Sequence, residues 1–550
     1  MQEKIRQLLK DFVAIPSISC TREEIKAAEF VQDYFADLPY FREHPEHFGL
    51  YNIPDDPYDR KVPYAFLKGN SDNTVVLMGH FDVVSVEDYG EAIPLAFSMG
   101  KELEDALSKK IMPPEARKDM ESGEFEWGRG VMDMKAGVVV FMALMEDYAK
   151  QAQAGTLPGN IVFLGVPDEE SYSAGMRAGV TVLSEFKDRY GLRLNLMIDG
   201  EPCPEAKDGE MILTIGSIGK ILPVVMVQGV TAHSGNRFNG ITPLSILTRM
   251  EQKTDESLIF MNSYKGDASM PPSWLNLRDM KRGYDVSIPF RAYGYLTVLS
   301  FADTPDQIRA ELKRIANESF EEAVDALDRM YQQFKKANVY QLKDKMYYEP
   351  LVLSIDELVE KLKGEKGAEF DAFYERARFK AESKVLSGEL NYPDATVTLM
   401  EDLLNYADIK QPLVLIGFAP PYYPAINSDL MPGHEGCGEK LFEEIAGFMK
   451  DQFGRGLAMQ YYSPGVSDMS YSGLDHEFDT GAYSKNTPIW GKTYSIDFKS
   501  LANLNMPCII LGPIGKDAHQ WTERLLKKSV YEEAPAVNKF IIDKYMAESL

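Results

Sequence analysis

The first third of the chain alternates short apolar runs with longer amphipathic stretches. Three continuous apolar runs have the length of buried strands, at residues 74–78, 160–166 and 192–198. Apolar residues recur with helical spacing in four stretches around them, at residues 3–14, 22–37, 134–150 and 176–187. Strands that alternate with helices predict an α/β fold, with a mainly parallel sheet flanked by helices.

The pattern changes after residue 217. Strand-like runs and helical stretches then occur in a different order, at 221–235, 243–252, 290–301 and 306–336. The signal for buried strands returns at 412–418 and 507–513, with a helix predicted at 438–453. We therefore predict one α/β domain formed by residues 1–217 and 412–550, interrupted by an inserted unit at 218–411.

Composition and charge narrow the class of protein. With 550 residues the chain is too long for one ordinary domain, and 45% apolar and 26% charged residues are globular values that argue against disorder or a fibre. The formal net charge of −25 should repel phosphate backbones, so a nucleic-acid partner is disfavoured. A phosphate-binding loop of the GxxxxGK[ST] type is missing, which argues against a nucleotide-dependent kinase or ligase.

The cysteines and the amino terminus indicate the compartment. Cys20, Cys203, Cys437 and Cys508 are too far apart for a zinc knuckle, and their pattern does not indicate a disulfide framework. No apolar stretch reaches the ~18 residues of a membrane span, and the first residues lack the apolar region of a signal peptide. We therefore expect a cytoplasmic protein without a membrane partner.

Histidines and carboxylates follow the predicted buried strands. They are His80 and Asp82 after the first run, Glu169 and Glu170 after the second, Asp199 and Glu201 after the third, and His519 after 507–513. Functional residues gather at the carboxyl ends of parallel strands. Core packing does not require this arrangement. Two histidines and three carboxylates offer the mixed nitrogen and oxygen donors that two borderline divalent ions prefer.

Taken singly, these residues have simpler interpretations. His80 could be a hydrogen-bonded core histidine, and Asp133, where the helix 134–150 begins, could be a helix cap. The adjacent Glu169 and Glu170 could be solvated charges. Successive side chains of an extended segment point in opposite directions, so one of these glutamates could bind metal while the other faces a reacting water.

Six motifs in a fixed order make the interpretation more specific. The strings GHFDVV, GRGVMDMKAG, PDEES, DGEP, AHSG and GPIGKDAH together resemble the M20 family of metallopeptidases and N-acyl-amino-acid amidohydrolases. The resemblance covers residues 1–217, the start of the inserted unit and the tail from about residue 460. Within the family, the chain length, the middle segment and SPGVSDMSY most resemble the arginine-utilisation (RocB) branch.

The resemblance implies a ligand for each position of a metal pair. His80 and Asp199 would bind one Zn²⁺, Glu170 and His519 would bind the other, and Asp133 would bridge them. Co²⁺ and Mn²⁺ are alternative metals. Relatives differ over whether Asp or Glu is the ligand at this position, so Glu201 is an alternative to Asp199. We favour Asp199 because it directly follows the apolar run.

The resemblance also implies catalytic roles. Asp82 would orient His80, and Glu169 would act as the general base on the metal-held water. His233 in the inserted unit would, as in dimeric members, reach the active site of a partner subunit and stabilise the oxyanion. Ser467 and Asp468 occupy the place of a substrate-binding loop and are secondary candidates.

The function that follows is hydrolysis of an amide bond in a small peptide or an N-acyl amino acid by a dizinc enzyme. The resemblance implies a zinc-peptidase-like catalytic domain, an α+β lid or dimerisation domain at 218–411, and a homodimer. The charged insertion at 96–124 is a candidate cover for the cleft. The alternative is a metal-binding protein without catalysis that regulates arginine utilisation, although none of the family's ligands is missing. The remaining histidines, expected at the surface, are His44, His47, His434 and His476.

Overall fold

The computed structural model describes residues 1–206, 209–337, 347–475, 479–548 and 550. These residues form two compact units. The first comprises Met1–Ile218, Pro424–His476 and Ile496–Leu550, and the second comprises Gly219–Tyr423 and Glu477–Ser495.

An eight-stranded mixed sheet forms the centre of the first unit. Its strands, in spatial order, are Phe48–Asn52, Lys61–Leu67, Asn160–Val166, Asn73–His80, Arg193–Asp199, Cys508–Ile510, Met211–Thr214 and Leu457–Gln460. The four strands Asn160–Val166, Asn73–His80, Arg193–Asp199 and Cys508–Ile510 are parallel to one another, which confirms the predicted parallel core. Phe48–Asn52 pairs antiparallel with Lys61–Leu67, which pairs antiparallel with the core strand Asn160–Val166, so the whole sheet is mixed.

The register of the parallel strands aligns their carboxyl ends. His80 pairs with Val166 on one side of its strand, and Met78 pairs with Asp199 on the other. Asp199 in turn pairs with Ile510. The loops that follow these strands therefore begin at one edge of the sheet.

Helices surround this sheet. They are Gln2–Val13, Glu23–Ala36, Pro39–Glu43, Lys101–Ser108, Pro114–Ser122, Lys135–Gln153, Ala174–Tyr190, Cys437–Phe453, Phe498–Leu504 and Ala534–Ala547. Lys135–Gln153 is buried over most of its length because it packs on the sheet and on neighbouring helices. The helices predicted from periodicity agree with these bounds to within a few residues.

A small three-stranded sheet in the first unit joins distant parts of the chain. Gly515–Lys516 and Arg524–Leu526 form a hairpin, and Phe125–Trp127 pairs with its second strand. The insertion at 96–124 forms two helices whose apolar residues pack in one hydrophobic cluster with this sheet. The insertion thus supports the strand that leads to Asp133 and the hairpin that contains His519.

The second unit is an α+β unit with a five-stranded sheet. Its strands, in spatial order, are Ser273–Asp279, Arg291–Ser300, Gly219–Gln228, Leu413–Tyr423 and Val352–Ser354. Its longer helices are Leu244–Asp255, Pro305–Lys336, Ile355–Lys366, Ala368–Leu386 and Tyr392–Ala407. Leu222, Val224 and Met226 alternate along the central strand and pack on one face against the last three helices. Buried side chains on both faces of Gly219–Gln228 explain its continuous apolar sequence.

The domain boundary predicted at residue 412 is displaced. The strand Leu413–Tyr423 pairs with Gly219–Gln228 in the second unit, and the chain returns to the first unit at Pro424. Residues 479–495 also belong to the second unit. A continuous apolar run indicates burial on both faces, and it does not identify which sheet the strand joins.

Candidate metal centre

His80 is the last residue of the strand Asn73–His80, and its side chain is 1% exposed. Its Nδ1 lies 3.0 Å from the backbone oxygen of Asp82 and 3.6 Å from the Asp82 carboxylate. A proton on Nδ1, held by these acceptors, leaves the lone pair of Nε2 available to a metal. His80 is therefore positioned as a ligand, because Asp82 fixes the orientation of its ring.

The Asp82 carboxylate also contacts the loop that follows the neighbouring strand. Its two oxygens accept hydrogen bonds from the backbone N–H groups of Glu169, at 3.0 Å, and Glu170, at 3.2 Å. Ser19 Oγ donates to the same carboxylate at 2.7 Å. Asp82 therefore fixes the backbone of both glutamates, in addition to its contact with His80.

Asp133 lies between the two histidines of the centre. Its Oδ1 is 3.0 Å from Nε2 of His80, and its Oδ2 is 3.2 Å from Nε2 of His519. Burial alone would raise the pKa of Asp133, but hydrogen bonds from His519 and His80 lower it below its ordinary value. A carboxylate with one oxygen toward each histidine has the arrangement of a bridging ligand, as the family resemblance implied.

His519 and Glu170 complete one half of the centre. Nε2 of His519 is 3.0 Å from Glu170 Oε2, and the small three-stranded sheet holds the loop that contains His519. Hydrogen bonds to Asp133 and Glu170 raise the pKa of His519 to about 10. The structure brings these residues together from loops that are far apart in the chain.

Glu201, not Asp199, faces His80. Glu201 Oε1 lies 3.3 Å from His80 Nε2. The Asp199 carboxylate instead accepts hydrogen bonds from the backbone N–H of Glu201 at 3.2 Å and from Ser467 Oγ at 2.6 Å. Asp199 was favoured from the sequence, but the geometry favours the alternative, Glu201.

Glu169 borders the same space. Its Oε2 is 4.0 Å from Nε2 of His80, and its side chain is 10% exposed. Burial raises the pKa of Glu169 well above its ordinary value, and the charge of Glu201 adds to this effect while His80 opposes it. The adjacent glutamates therefore differ in their contacts, because Glu170 faces His519 and Glu169 lies beside His80.

The donor atoms fit two divalent cations. One trio comprises His80, Asp133 and Glu201, and the other comprises Asp133, Glu170 and His519, with the ligand atoms of each trio within 4.8 Å of one another. Three protein donors with nitrogen and oxygen atoms leave an open coordination position, as in catalytic zinc sites. Burial, together with the charge of Asp133, raises the pKa of Glu201 to about 8. A cation between such crowded carboxylates would relieve their repulsion.

Arg129 and Glu523 hold the backbone of the centre in position. The sequence did not predict this role for either residue. Glu523 Oε1 accepts hydrogen bonds from the backbone N–H groups of Met132 and Asp133, and its Oε2 accepts one from Arg129 at 2.8 Å. Arg129 also donates to the backbone oxygen of His519 at 3.3 Å. Burial raises the pKa of Glu523 to about 7, although Arg129 opposes the shift.

The glycines on either side of Arg129 are a sequence signal that could have drawn attention to this residue. Gly128 and Gly130 both have positive φ, at 146° and 78°. A Cβ atom at Gly130 would also lie 2.7 Å from the side chain of Val83. Because glycine alone adopts such conformations at low cost, the GRG string marks a backbone that passes close to the segment just after the strand Asn73–His80.

The substrate-loop candidates lie in the first unit, and both are buried. Ser467 Oγ donates to Asp199, as described above. Burial raises the pKa of Asp468 to about 8, and the carboxylates of Asp199 and Asp82 add to the shift while Ser173 and His80 oppose it. Asp468 also influences the titration of Glu169 through its charge. These contacts agree with a location beside the centre.

His233 belongs to the second unit and is exposed. It precedes the short helical segment Ser234–Asn239, and its Nδ1 accepts a hydrogen bond from the backbone N–H of Gly235 at 3.0 Å. Its backbone pairs with Ser287. The hydrogen bond from Gly235 to Nδ1 directs Nε2 of His233 away from the turn.

The expectation for the remaining histidines holds only in part. His44 is 44% exposed in its side chain, but His47 is buried against aromatic residues, so its predicted place at the surface is wrong. His434 is partly buried, and His476 lies outside the described residues. Among the described residues, none of the helices combines the length and the apolar character that a bilayer crossing demands.

Comparisons with known proteins identify the family of the chain. The model of peptidase family M20/M25/M40 matches residues 76–543. The chain is 30% identical to the uncharacterized protein YqjN of Bacillus subtilis strain 168, over 100% of this chain and 97% of that protein. It is 28% identical to protein RocB of the same strain, over 97% and 93% of the two chains. The solved structure of Bacillus subtilis YXEP, described as a dinuclear metal binding peptidase from the M20 family, shares the fold, with a TM-score of 0.50, 11% identity and coverage of 99% and 98%. The chain therefore belongs to peptidase family M20/M25/M40.

Proposed function

We propose that this M20-family, metal-dependent hydrolase cleaves an amide bond in a small peptide or an N-acyl amino acid. The observation that supports the proposal most strongly is the position of Asp133, whose two carboxylate oxygens face different histidines. Each histidine has a further glutamate beside it, so that two ligand trios share one carboxylate. A buried glutamate that belongs to neither trio, Glu169, lies beside them.

Zn²⁺ is the proposed metal, with Co²⁺ and Mn²⁺ as alternatives. His80, Asp133 and Glu201 would hold one ion, and Asp133, Glu170 and His519 would hold the other. YXEP is a dinuclear metal binding peptidase, which supports two ions in a chain of the same fold. When bound, the ion pair supplies Lewis acidity that lowers the pKa of water from ~15.7 towards ~7.

Glu169 is the proposed general base. Asp82 fixes its backbone N–H, and its carboxylate is buried beside His80. Burial raises the pKa of Glu169 towards the range in which a carboxylate accepts a proton and later releases it. In this proposal, Glu169 Oε2 takes a proton from the attacking water and delivers it to the nitrogen of the leaving amine. Asp82 is a positioning residue, because it acts through the glutamate backbone and His80.

The decisive experiment compares Glu169→Gln with Glu91→Gln. Glu91 is exposed on the first unit and belongs to neither ligand trio. Glu169→Gln should lower turnover by about 10²–10⁴-fold, the typical contribution of general-base catalysis, while both ions of the centre bridged by Asp133 stay bound. Glu91→Gln should match the wild type. Full activity of Glu169→Gln would refute its role as the base.

The substrate class is tested on the wild type with two panels, dipeptides and N-acyl amino acids, each including arginine derivatives. We propose a cytoplasmic role in arginine utilisation, which the similarity to RocB along nearly the whole chain supports. Ser467 and Asp468 are proposed substrate contacts, so Asp468→Asn should raise KM more than it lowers kcat. A wild-type protein that binds metal and cleaves neither panel would favour the alternative, a regulatory protein without catalysis.

We further propose that the second unit is a lid and dimerisation domain. Ser273–Asp279 is an edge strand of its sheet, and Leu275 on it is 57% exposed. Met270 and Leu258, close by in the sequence, are 57% and 68% exposed. Exposed apolar side chains at a sheet edge suit pairing with a second copy of the chain. Light scattering should therefore give twice the mass of one chain.

The role of His233 can be tested by mixing two inactive proteins. If His233 acts in the partner's active site, a mixed dimer of Glu169→Gln and His233→Ala subunits has one complete site. After subunit exchange, about a quarter of wild-type activity should return, since half of the dimers are mixed and each has one working site. A mixture that stays inactive would place the action of His233 within its own chain.

A further inference from the structure

A second group of metal-ligand side chains lies in the first unit, between the helix Pro39–Glu43 and the strand Phe48–Asn52. His47 N donates to His44 O at 3.0 Å and closes a tight helical turn. Residues three apart in a 3₁₀ turn have side chains on the same side. The two imidazole rings accordingly stack, with centroids 5.1 Å apart and an interplanar angle of 17°.

Glu46 lies between the two rings. Its Oε1 is 3.6 Å from Nδ1 of His44 and 3.6 Å from Nε2 of His47. Each of the three residues offers one donor atom that lies within 4.8 Å of the other two. Two ligands at the usual ~2.0–2.1 Å from Zn²⁺ are roughly 3.3–3.6 Å apart for bond angles between about 110° and 120°. The two nitrogen–oxygen distances of 3.6 Å lie at the upper end of this range, and the His44 ring, which is partly exposed, would turn out of the stack for both lone pairs to point at one ion.

His47 is fixed in the orientation that a ligand needs. It is 5% exposed, and its ring packs edge-on against Phe66 and Tyr190. Its Nδ1 lies 3.0 Å from the hydroxyl oxygen of Tyr40, which also accepts a hydrogen bond from the backbone N–H of Lys68. The second lone pair of that oxygen can accept the Nδ1 proton, so the lone pair of Nε2 points to Glu46. A second acceptor that orients the imidazole is the usual companion of a metal-bound histidine.

We propose that His44, Glu46 and His47 form a third metal site, for Zn²⁺ or another borderline divalent cation, which shares no residue with the centre bridged by Asp133. Two imidazole nitrogens and one carboxylate oxygen are the donors such ions prefer. The outer ligands are exposed, with 44% of the His44 side chain and 57% of the Glu46 side chain accessible, so the ion exchanges with solvent and keeps an open position. The bound ion would stabilise the turn between the helix and the strand.

The test counts Zn²⁺ ions on the full chain by equilibrium dialysis and elemental analysis. The wild type should bind three ions, and His44→Ala and Glu46→Gln should each bind two. Both side chains are about half exposed, so these variants should stay folded. His434→Ala removes a partly buried histidine elsewhere in the first unit and should still bind three. Activity should be the same in all four proteins when the bridged centre is full.

A second measurement separates this site from the bridged centre. Asp133→Asn should empty the bridged centre and leave one ion, which His44→Ala in the same background should remove. In ¹⁵N-labelled Asp133→Asn protein, Zn²⁺ should shift the Nε2 resonance of His47 and leave that of His434 unchanged. The proposal is refuted if His44→Ala binds as many ions as the wild type, or if His434→Ala loses the third ion equally.

Discussion

Replacing Asp82 by asparagine tests how the centre is held in position. The Asp82 carboxylate accepts three hydrogen bonds, from Ser19 Oγ at 2.7 Å, Glu169 N at 3.0 Å and Glu170 N at 3.2 Å. Asparagine has the same size but only one oxygen, and its amide group is a donor. In Asp82→Asn, at least one backbone N–H of the two glutamates therefore loses its acceptor.

The expected size of the effect of Asp82→Asn follows from the kind of hydrogen bond that is lost. A hydrogen bond to a charged acceptor contributes about 1.5–3 kcal/mol, and about 1.4 kcal/mol corresponds to a factor of ten. Glu170 is a proposed ligand and Glu169 the proposed base, so the loss should appear in metal affinity or in kcat. We expect a decrease of about 10- to 100-fold, which is also the usual effect of removing a partner that orients a metal ligand.

The assay is competition for Zn²⁺ with a chelator of known affinity, together with kcat and KM on the best substrate. Ser19→Ala is the matched control, because it removes one hydrogen bond to Asp82 and leaves both backbone bonds intact. Its effect should be much smaller than that of Asp82→Asn. If the two variants have equal metal affinity and equal kcat, the carboxylate does not position the glutamates and the reasoning is refuted.

Four further predictions concern single residues. Glu201→Gln should leave one ion in the bridged centre, whereas Asp199→Asn should keep both with lower affinity, as measured by elemental analysis. Asp133→Asn should bind neither of these ions, because it removes a ligand of both trios. In metal-free protein, the free energy of unfolding of the wild type, relative to that of His47→Asn, should fall as the pH drops from about 6.5 to about 4. The reason is that burial lowers the pKa of His47 to about 4, so in this range the unfolded chain binds a proton at His47 that the folded chain does not. The change in this difference, measured by urea denaturation, should approach roughly 3 kcal/mol. Leu275→Asp should give a monomer in light scattering, because a charge replaces an exposed apolar side chain of the edge strand.

Each of these predictions has a contradicting result. Loss of an ion in Asp199→Asn but not in Glu201→Gln would restore the assignment made from the sequence. Retention of both ions in Asp133→Asn would exclude a bridge. An equal pH slope in His47→Asn would assign the acid sensitivity to another group, and a dimeric Leu275→Asp would move the interface away from the edge strand.

The sequence predicted the positions of most site residues because strand ends can be identified from apolar runs. His80, Glu169 and Glu170 directly follow such runs, and the parallel register brings them together. Distance from the strand was the only criterion that the sequence offered for this ligand, and it favoured Asp199, whereas the geometry favours Glu201. The Asp199 carboxylate accepts hydrogen bonds from the backbone N–H of Glu201 and from the hydroxyl of Ser467. The second of these contacts comes from a distant segment that local pattern does not reveal.

Two other features depend on tertiary contacts in the same way. The strand Leu413–Tyr423 is apolar throughout, which fits either sheet equally well. Its pairing with Gly219–Gln228 and with Val352–Ser354 assigns it to the second unit. Glu523 looks like an ordinary acidic residue in a loop, and its partnership with Arg129 appears only when the tail folds back beside the GRG string.

The three-stranded sheet formed by Phe125–Trp127 and the hairpin near the end of the chain has a consequence for biosynthesis. During synthesis, Asp133 leaves the exit tunnel of the ribosome long before His519 does. A nascent chain can therefore contain the trio of His80, Asp133 and Glu201 while the trio that needs His519 is still incomplete. The bridged centre can form only after the segment that contains His519 has been translated. Premature termination after the strand Cys508–Ile510 would therefore give a chain that contains the whole main sheet but cannot retain both ions.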